Sequence, residues 1–281
     1  MRRPPPSTGG RHVDLHTHTW FSDGALSPDA LVARALDKGL AALAVTDHDS
    51  LEALPQARAA AGTAIELVPG IELSSAHAGG DLHVLGYFIH PENGPLRERL
   101  ERFRTDRQER VRAIVARLQD LGAPVEAERV FAIAGPGVVG RPHIAQALVA
   151  AGHVENLEDA FRRYLAVRSP AFVPRPAFSP AEAIALIHAA DGVSVLAHPG
   201  ASLGDEVIER LVEDGLRGIE VWHPQHTPTT VRRYRALAER FGLLETGGSD
   251  FHGERRGADL GDLNVPASVL GPLKSAAGVA G

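Results

Sequence analysis

Short apolar runs alternate with amphipathic segments in two parts of the chain, before residue 90 and after residue 180. The runs predict β-strands because they lack polar alternation, as in strands that are covered on both faces. Ser27-Pro28 begins one of the intervening segments with an N-cap residue and a first-turn proline, which favours a helix. The predicted strands are 12–15, 41–46, 65–68, 83–89, 193–197, 218–222 and 243–247. Strands that alternate with helices predict an α/β fold with a mainly parallel sheet or barrel.

The stretch between these two parts, residues 91–176, reads as consecutive helices without a strand pattern. Leu100, Val111, Ile114 and Leu118 follow helical spacing in a long amphipathic segment, and shorter helices are predicted further on. We therefore expect a helical cap that selects the substrate, inserted into one discontinuous domain. The expected domain limits are 12–90 and 177–281 for the barrel, 91–176 for the cap, and 1–11 for a disordered N-terminal extension.

Composition indicates a soluble enzyme and excludes several other classes. The chain has 281 residues, 44% of them hydrophobic, which is enough for one α/β barrel domain. Its net charge of −6 gives no overall basic field to attract nucleic acid. The start, MRRPPPSTGG, lacks the apolar segment of a signal peptide, and no apolar run has the length of a membrane helix. The absence of cysteine excludes disulfides and favours a cytoplasmic location.

Histidines and carboxylates recur in short clusters at the predicted strand ends. Imidazoles and carboxylates suit divalent cations of borderline to hard character. In an extended segment residues i and i+2 point to the same side, so His16 with His18, and Asp250 with His252, can each converge on one site. The clusters are Asp14, His16, His18 and Asp23; Asp47, His48 and Asp49; Glu72, Asp81 and His83; His198; Glu220 and His223; and Asp250 and His252. They predict a metal centre.

These clusters resemble the motifs of the polymerase and histidinol phosphatase (PHP) superfamily. The matching segments are DLHTHTWFSDG, TDHDS, GIELSS, LHVLGYF, AHPG, IEVWH and GSDFHG, which cover residues 13–90 and 177–260. The resemblance implies a distorted (β/α)7 barrel with two or three metal ions at the carboxyl ends of the strands. Enzymes with barrel folds generally carry their active sites at that end.

The resemblance also implies which residues hold each ion. The mixed set of imidazoles and carboxylates suits Mn²⁺, with Fe²⁺ or Zn²⁺ as alternatives. The implied sets are His16, His18, Glu72 and Asp250 for one ion; Glu72, His83 and His198 for a second; and Asp23, His48 and His252 for a third. Asp14, Asp47 and Asp49 are candidates for carboxylates that orient the ligating imidazoles. The other histidines match no motif and are expected to lie outside the site: His12, His77, His90, His153, His188 and His226.

Such a centre suits phosphoester hydrolysis. Ions about 3.5–4 Å apart activate a bridging water and hold a phosphate oxygen. His223 lies just after the strand that carries Glu220 and is a candidate for protonating the leaving oxygen, with Asp250 as an alternative. We expect Glu220 to have a structural role or to support a metal ligand.

The insert resembles that of one PHP branch, the nucleoside 3′,5′-bisphosphate phosphatases and 5′-3′ exoribonucleases. Arg141 and His143, in the segment VGRPHI, are candidates to bind a second phosphate of a nucleotide or of a short RNA 5′ end. We expect the 5′ phosphate at the metals and the 3′ phosphate at these residues. A surface salt bridge is the alternative role of Arg141. The chain departs from the branch at Arg168-Ser169-Pro170 and at Phe172, where the branch has tyrosine.

Three alternatives stay open. A histidinol-phosphate phosphatase would need a carboxylate in the cap to bind the amino group of its substrate. A proofreading module of a DNA polymerase would be followed by polymerase sequence, and a non-catalytic metal-binding protein would have lost several ligands. No membrane and no obligate protein partner is expected.

Overall fold

A computed structural model describes residues 12–77, 80–253 and 257–279. The predicted disordered extension, residues 1–11, lies outside the described residues. Within the described ranges, no helix combines the length and the apolar character needed to cross a membrane.

In the described ranges, eight strands form one sheet in the order β7-β6-β5-β4-β3-β2-β1-β8. The sheet curls into a nearly closed barrel, because the Leu15 amide at the end of β1 donates to the Gly247 carbonyl of β7 at 3.1 Å. The strands are β1 (His12–Asp14), β2 (Ala42–Val45), β3 (Glu66–His77), β4 (Gly80–Tyr87), β5 (Val193–Leu196), β6 (Gly218–Trp222), β7 (Leu244–Gly247) and β8 (Val265–Pro266). The predicted barrel with surrounding helices is confirmed.

Helices pack around the barrel and form the insert, and in the described ranges five of the ten α-helices begin at a side chain that caps the first turn. Ser27 accepts a hydrogen bond from the Ala30 amide, and Ser179 and Glu182 form a reciprocal capping box. The helices are α1 (Pro28–Asp37), α2 (Leu54–Ala61), α3 (Gly94–Asp120), α4 (Ala127–Ala134), α5 (Arg141–Ala150), α6 (Leu157–Ala160), a π-helix (Phe161–Leu165), α7 (Pro180–Ala189), α8 (Asp205–Glu213), α9 (Pro228–Phe241), a 3₁₀-helix (Ala267–Val269) and α10 (Leu270–Ala276).

The strand pattern differs from the sequence prediction in two respects. β4 runs antiparallel to both β3 and β5, and β8 adds a short antiparallel strand beside β1, making eight strands rather than seven. β3 is also much longer than the predicted 65–68, because it continues through buried polar residues such as Glu72 and Ser74. An apolar pattern cannot identify a strand whose inward side chains are ligands and hydroxyls.

The segment between β4 and α7 consists of α3 to α6 and the π-helix. The amino-terminal half of α3 packs on the barrel through Leu96 and Phe103, whereas Ile114 further along contributes to a second core with Ile144 and Leu165. The helix α3 therefore joins the insert to the barrel. The expected domain limits around residues 90 and 177 stay a prediction.

Gly248 has no side chain, which allows the backbone after β7 to lie against His16 where the barrel closes. A Cβ atom at this position would lie 2.3 Å from the His16 backbone nitrogen and 2.5 Å from the His16 Cβ. We expect Gly248→Ala to lower the free energy of unfolding by about 1–3 kcal/mol, since overpacking forces the backbone apart. Gly271→Ala in α10 is the control, because no atom lies within 4 Å of a Cβ there. Urea unfolding that gave equal stability for the two variants would contradict this prediction.

Candidate metal centre

The first strand ends in two histidines whose backbone is fixed from both sides. The His18 amide donates to the Phe251 carbonyl at 3.0 Å, and the Tyr87 hydroxyl donates to the Leu15 carbonyl at 2.8 Å. His16 and His18 are fully buried, and their ring centroids lie 5.2 Å apart. The alternation of an extended backbone thus directs both rings into the barrel mouth, as the His-x-His spacing predicts.

Glu72 of β3 lies at the centre of the histidine cluster and is fully buried. Its two oxygens approach five imidazole nitrogens: His83 Nδ1 at 2.7 Å, His198 Nε2 at 2.9 Å, His48 Nδ1 at 3.1 Å, and Nε2 of His16 and of His18 at 3.2 Å. Burial raises the pKa of Glu72, but the surrounding imidazoles, first His48 and His83, outweigh burial and hold that pKa well below its ordinary value. Glu72 is therefore an ionised carboxylate among inward-facing ring nitrogens.

Three overlapping groups have ligand atoms within 4.8 Å of one another: His16, His18, Glu72 and Asp250; His18, Asp23, His48 and His252; and His48, Glu72 and His83. The structure thus brings all nine predicted metal ligands to one end of the barrel. His18 and His48 each take part in two groups, which the sequence sets did not anticipate. His198 belongs to none of the three groups and lies against Glu72.

The residues fit divalent cations on an observation independent of the motif. The Nε2 atoms of His18 and His83 and the Nδ1 atom of His48 are buried and have no hydrogen-bond partner among the described residues. Buried polar atoms are normally hydrogen-bonded, and each exception needs an explanation. Asp250 and His198 also adopt positive φ angles of 51° and 27°, a strained conformation for residues other than glycine. Ring nitrogens without a hydrogen-bond partner, together with backbone strain in two other predicted ligands, are features of a metal site.

Glu220 supports this centre from behind. Its carboxylate lies 3.1 Å from Nδ1 of His16 and accepts the backbone amide of His198 at 2.7 Å. The contact leaves Nε2 of His16 directed at the centre, which is how a carboxylate orients a ligating imidazole. The structural or supporting role expected of Glu220 agrees with this geometry.

The three other carboxylates expected to orient imidazoles contact different groups. Asp14 accepts backbone amides, including that of Ser249 at 2.9 Å. Asp47 accepts the amide of Thr19 at 2.7 Å and thereby fixes the loop after His18. Asp49 binds Arg107 of α3. Asp47 also accepts the Ser22 hydroxyl, which lies 3.4 Å from Nδ1 of His18. The expectation that these carboxylates orient the imidazoles stays a prediction.

The two proposed catalytic side chains are neighbours. Nε2 of His223 lies 3.4 Å from Oδ2 of Asp250, and only 3% of His223 is exposed. His226, expected to lie outside the site, has its ring centroid 5.4 Å from that of His223, with the two rings tilted by 59°, and its Nδ1 lies 2.9 Å from the Val221 carbonyl oxygen. The sequence missed His226 because it lies in a turn beyond the recognised motif.

A pocket beside the predicted metal ligands is lined by three arginines: Arg107 of α3, Arg141 of α5 and Arg175. The same pocket is lined by Asp23, His48 and His83, so it opens directly onto the predicted metal ligands. We call it the arginine pocket.

The two predicted substrate-binding residues both line the arginine pocket, but they differ in what they contact. Arg141 forms an ion pair with Asp81 and donates to the Leu165 carbonyl at 3.1 Å. His143 is buried, and its Nδ1 accepts the Gly140 amide at 3.0 Å, which caps the first turn of α5. Arg141 therefore presents a charged group to the pocket, while this contact gives His143 a structural role.

Comparison with known proteins decides the family. The model of the PHP domain matches residues 14–170, more than half of the chain. The chain belongs to the PHP domain family. It is 36% identical to the 5′-3′ exoribonuclease Rnm of Escherichia coli, over 92% of this chain and 91% of that protein. It is 35% identical to a 3′,5′-nucleoside bisphosphate phosphatase of Chromobacterium violaceum, over 93% and 95%. A solved structure from Bifidobacterium adolescentis superposes with a TM-score of 0.88 at 33% identity, covering 96% of this chain and 98% of that chain.

Sequence reasoning on this PHP domain protein found Arg141 but missed Arg107 and Arg175. Arg107 is one of eight arginines in α3, and nothing in its local sequence separates it from its neighbours. Arg175 lies in the connection between the insert and α7, where no periodic pattern exists. The acidic partners gave a weak signal, since Asp49 and Asp81 each lie within two residues of a predicted metal ligand.

Proposed function

We propose that the protein is a metal-dependent phosphoesterase that hydrolyses nucleoside 3′,5′-bisphosphates and removes nucleotides from the 5′ ends of short RNA. The named relatives act in these two ways, and they align with nearly the whole chain. The observation that carries the proposal is the arginine pocket beside the metal-ligating residues. A substrate with two phosphates can occupy both places at once.

The charge of the arginine pocket and its surroundings calls for an anion. Four guanidinium groups share two carboxylate partners, Asp49 and Asp81, so the arginines outnumber the carboxylates that pair with them by two. The four are Arg107, Arg141 and Arg175, which line the pocket, and Arg110 beside them. Buried charge is strongly unfavourable when it is unpaired. A phosphate carrying two negative charges would neutralise the excess.

The contacts of Arg110 also indicate that the arginine pocket needs an anion. It is 8% exposed, its Nε donates to the Val173 carbonyl at 2.7 Å, and its Nη2 has no hydrogen-bond partner among the described residues. Burial, together with the neighbouring Arg175 and Arg141, lowers the pKa of Arg110 to about 9. The group remains charged at neutral pH, so an anion in the pocket would stabilise it.

One orientation of the substrate accounts for both activities. A 5′-3′ exonuclease cleaves the phosphodiester on the 3′ side of the terminal nucleotide, so the 3′ phosphate must reach the metal-ligating residues. The 5′ phosphate then occupies the arginine pocket. The orientation expected from the sequence is the reverse, and it would remove only a terminal phosphate from RNA. Asp81 and His83 are two residues apart on one strand, about 6–7 Å, which suits two phosphates on one ribose.

The nine ligating residues named above would hold two or three divalent ions, for which we propose Mn²⁺, with Fe²⁺ or Zn²⁺ as alternatives. Bound ions would supply Lewis-acid activation of the phosphate and of water. His223, 3.4 Å from Asp250, is placed to donate a proton to the leaving oxygen. Asp250 orients that imidazole. The arginine pocket holds the second phosphate so that the scissile one is fixed in place.

The alternatives receive less support. A histidinol-phosphate phosphatase needs a free carboxylate for the amino group of its substrate, but Asp49 and Asp81 are both engaged by arginines. A non-catalytic protein would lack ligands, whereas all nine predicted ligands are brought together. We further propose that the insert at 91–176 selects the substrate and that the enzyme works in the cytoplasm.

The test uses protein purified without chelator. We expect at least two transition-metal ions per chain by elemental analysis, and release of phosphate from adenosine 3′,5′-bisphosphate (pAp) and of 5′-AMP from 5′-phosphorylated tetraadenylate. Chelation should abolish both reactions and Mn²⁺ should restore them. Less than one ion per chain, or a preference for histidinol phosphate over pAp, would overturn the proposed function.

A further inference from the structure

Trp20 is the one aromatic residue with an exposed side chain in the part of the chain that the structure describes. Its indole keeps 45% of its surface accessible. In sequence it lies between His18 and Asp23, two of the predicted metal ligands. An exposed tryptophan offers a flat aromatic face on which a nucleic-acid base can stack.

The backbone that carries Trp20 is held in place from two sides. Its amide donates to the Leu26 carbonyl at 2.9 Å, and the Thr19 amide donates to Asp47 at 2.7 Å. The insert packs on the same loop, since a Cβ atom at Gly137 would lie 2.3 Å from the Trp20 carbonyl oxygen. The indole therefore projects from a fixed support, and a ligand that stacks on it orders little additional backbone.

The loop of Trp20 forms part of the wall of the arginine pocket. Ser22 and Asp23 line that pocket from this loop, and Val138 lines it from the insert. The Val138 amide donates to the Phe21 carbonyl at 2.9 Å, which joins the two segments of the wall. Trp20 itself does not line the pocket, but it lies between His18 and Ser22, on the segment that joins the predicted metal ligands to the pocket wall.

We infer that Trp20 is a stacking platform for the base of the nucleotide that follows the scissile phosphate of RNA. This inference rests on the proposed function and extends it to the part of the substrate outside the pocket. When the 5′ nucleotide enters the pocket, the next base loses its stacking neighbour and exposes a face. An indole accepts that face whatever the base, since every base has a π surface. A nucleoside bisphosphate ends at its 3′ phosphate and does not reach Trp20.

The kinetic test compares two substrates on three proteins. Trp20→Ala should raise KM for 5′-phosphorylated tetraadenylate about 5- to 30-fold, the lower part of the range for base–aromatic stacking, and leave the kinetics with pAp unchanged. Trp20→Phe should keep most of the wild-type affinity, because a phenyl ring also stacks. The matched control is Leu121→Ala, since Leu121 is 42% exposed and lies at the far end of α3. Leu121→Ala should leave the kinetics with both substrates unchanged.

A binding measurement gives a second readout that does not depend on turnover. The chain has two tryptophans, and a hydrolysis-resistant phosphorothioate tetranucleotide should quench the fluorescence of the metal-loaded wild type but not of Trp20→Phe. Equal quenching in the two proteins, or an unchanged KM for RNA in Trp20→Ala, would show that Trp20 does not stack on the substrate. If the wild type still hydrolyses both substrates, the proposed function stands in that case. A wild type that cleaves neither substrate overturns the proposed function itself.

Discussion

Glu72→Gln is expected to remove bound metal and to reduce kcat/KM by at least about 1,000-fold, which corresponds to about 4 kcal/mol of transition-state stabilisation. The reason is geometric, because the Glu72 carboxylate is the one group that approaches five imidazoles in the described site. An amide of the same size offers one neutral oxygen, so the negative charge that holds the cations together is lost.

The control for this variant lies on the same strand. Glu66 of β3 is partly exposed and pairs with Lys274 at 2.7 Å, away from the metal-ligating residues. Glu66→Gln should keep its metal content and activity. Elemental analysis and kcat/KM with pAp decide the outcome, and circular dichroism checks that each variant is folded. A folded Glu72→Gln protein with full metal content and activity would show that another group bridges the ions.

Histidines offer a further comparison within this prediction. His16→Ala removes a fully buried ring that contacts both Glu72 and Glu220, and we expect it to lose metal and activity. His153→Ala removes a ring whose Nε2 lies 2.8 Å from the Pro124 carbonyl oxygen in the insert, far in sequence from every motif. It should behave as wild type in both assays.

Arg141→Ala is expected to lower kcat/KM for pAp about 10- to 150-fold, because a charge-assisted contact contributes roughly 1.5–3 kcal/mol. With 3′-AMP the loss should be much smaller, since that substrate has no 5′ phosphate to place in the arginine pocket. The difference between the losses of kcat/KM with pAp and with 3′-AMP measures the contribution of the contact between Arg141 and the 5′ phosphate. A general loss of stability would lower both rates by the same factor.

The matched control is Arg163→Ala, also in the insert. Arg163 is exposed and pairs with Asp159, and it does not line the arginine pocket. Arg163→Ala should leave kcat/KM unchanged for both substrates. Equal losses on pAp and 3′-AMP in Arg141→Ala would mean that Arg141 serves only its ion pair with Asp81. That ion pair is the alternative role that the sequence left open.

The sequence by itself determined the family, the α/β barrel and the identity of the candidate metal ligands. Each ligand belongs to a short motif at a strand end, such as His16 with His18, where the alternation of an extended chain is enough to direct two side chains to one side. Parallel strands then bring their carboxyl ends together without further information. The contacts of Glu72 with His16, His18, His48 and His198 follow from that convergence, whereas His83 reaches Glu72 from the antiparallel strand β4.

Only the tertiary structure decided the antiparallel β3–β4 pair and the arginine pocket. The hydrophobic pattern predicted a strand at 83–89 but gives no direction of pairing, and β3 continues through buried polar residues such as Glu72 and Ser74. Arg107 and Arg175 come from different elements and meet Asp49 only after α3 has packed on the barrel. A long side chain on an arginine-rich helix can reach many positions, and the packing of that helix alone determines which one it takes.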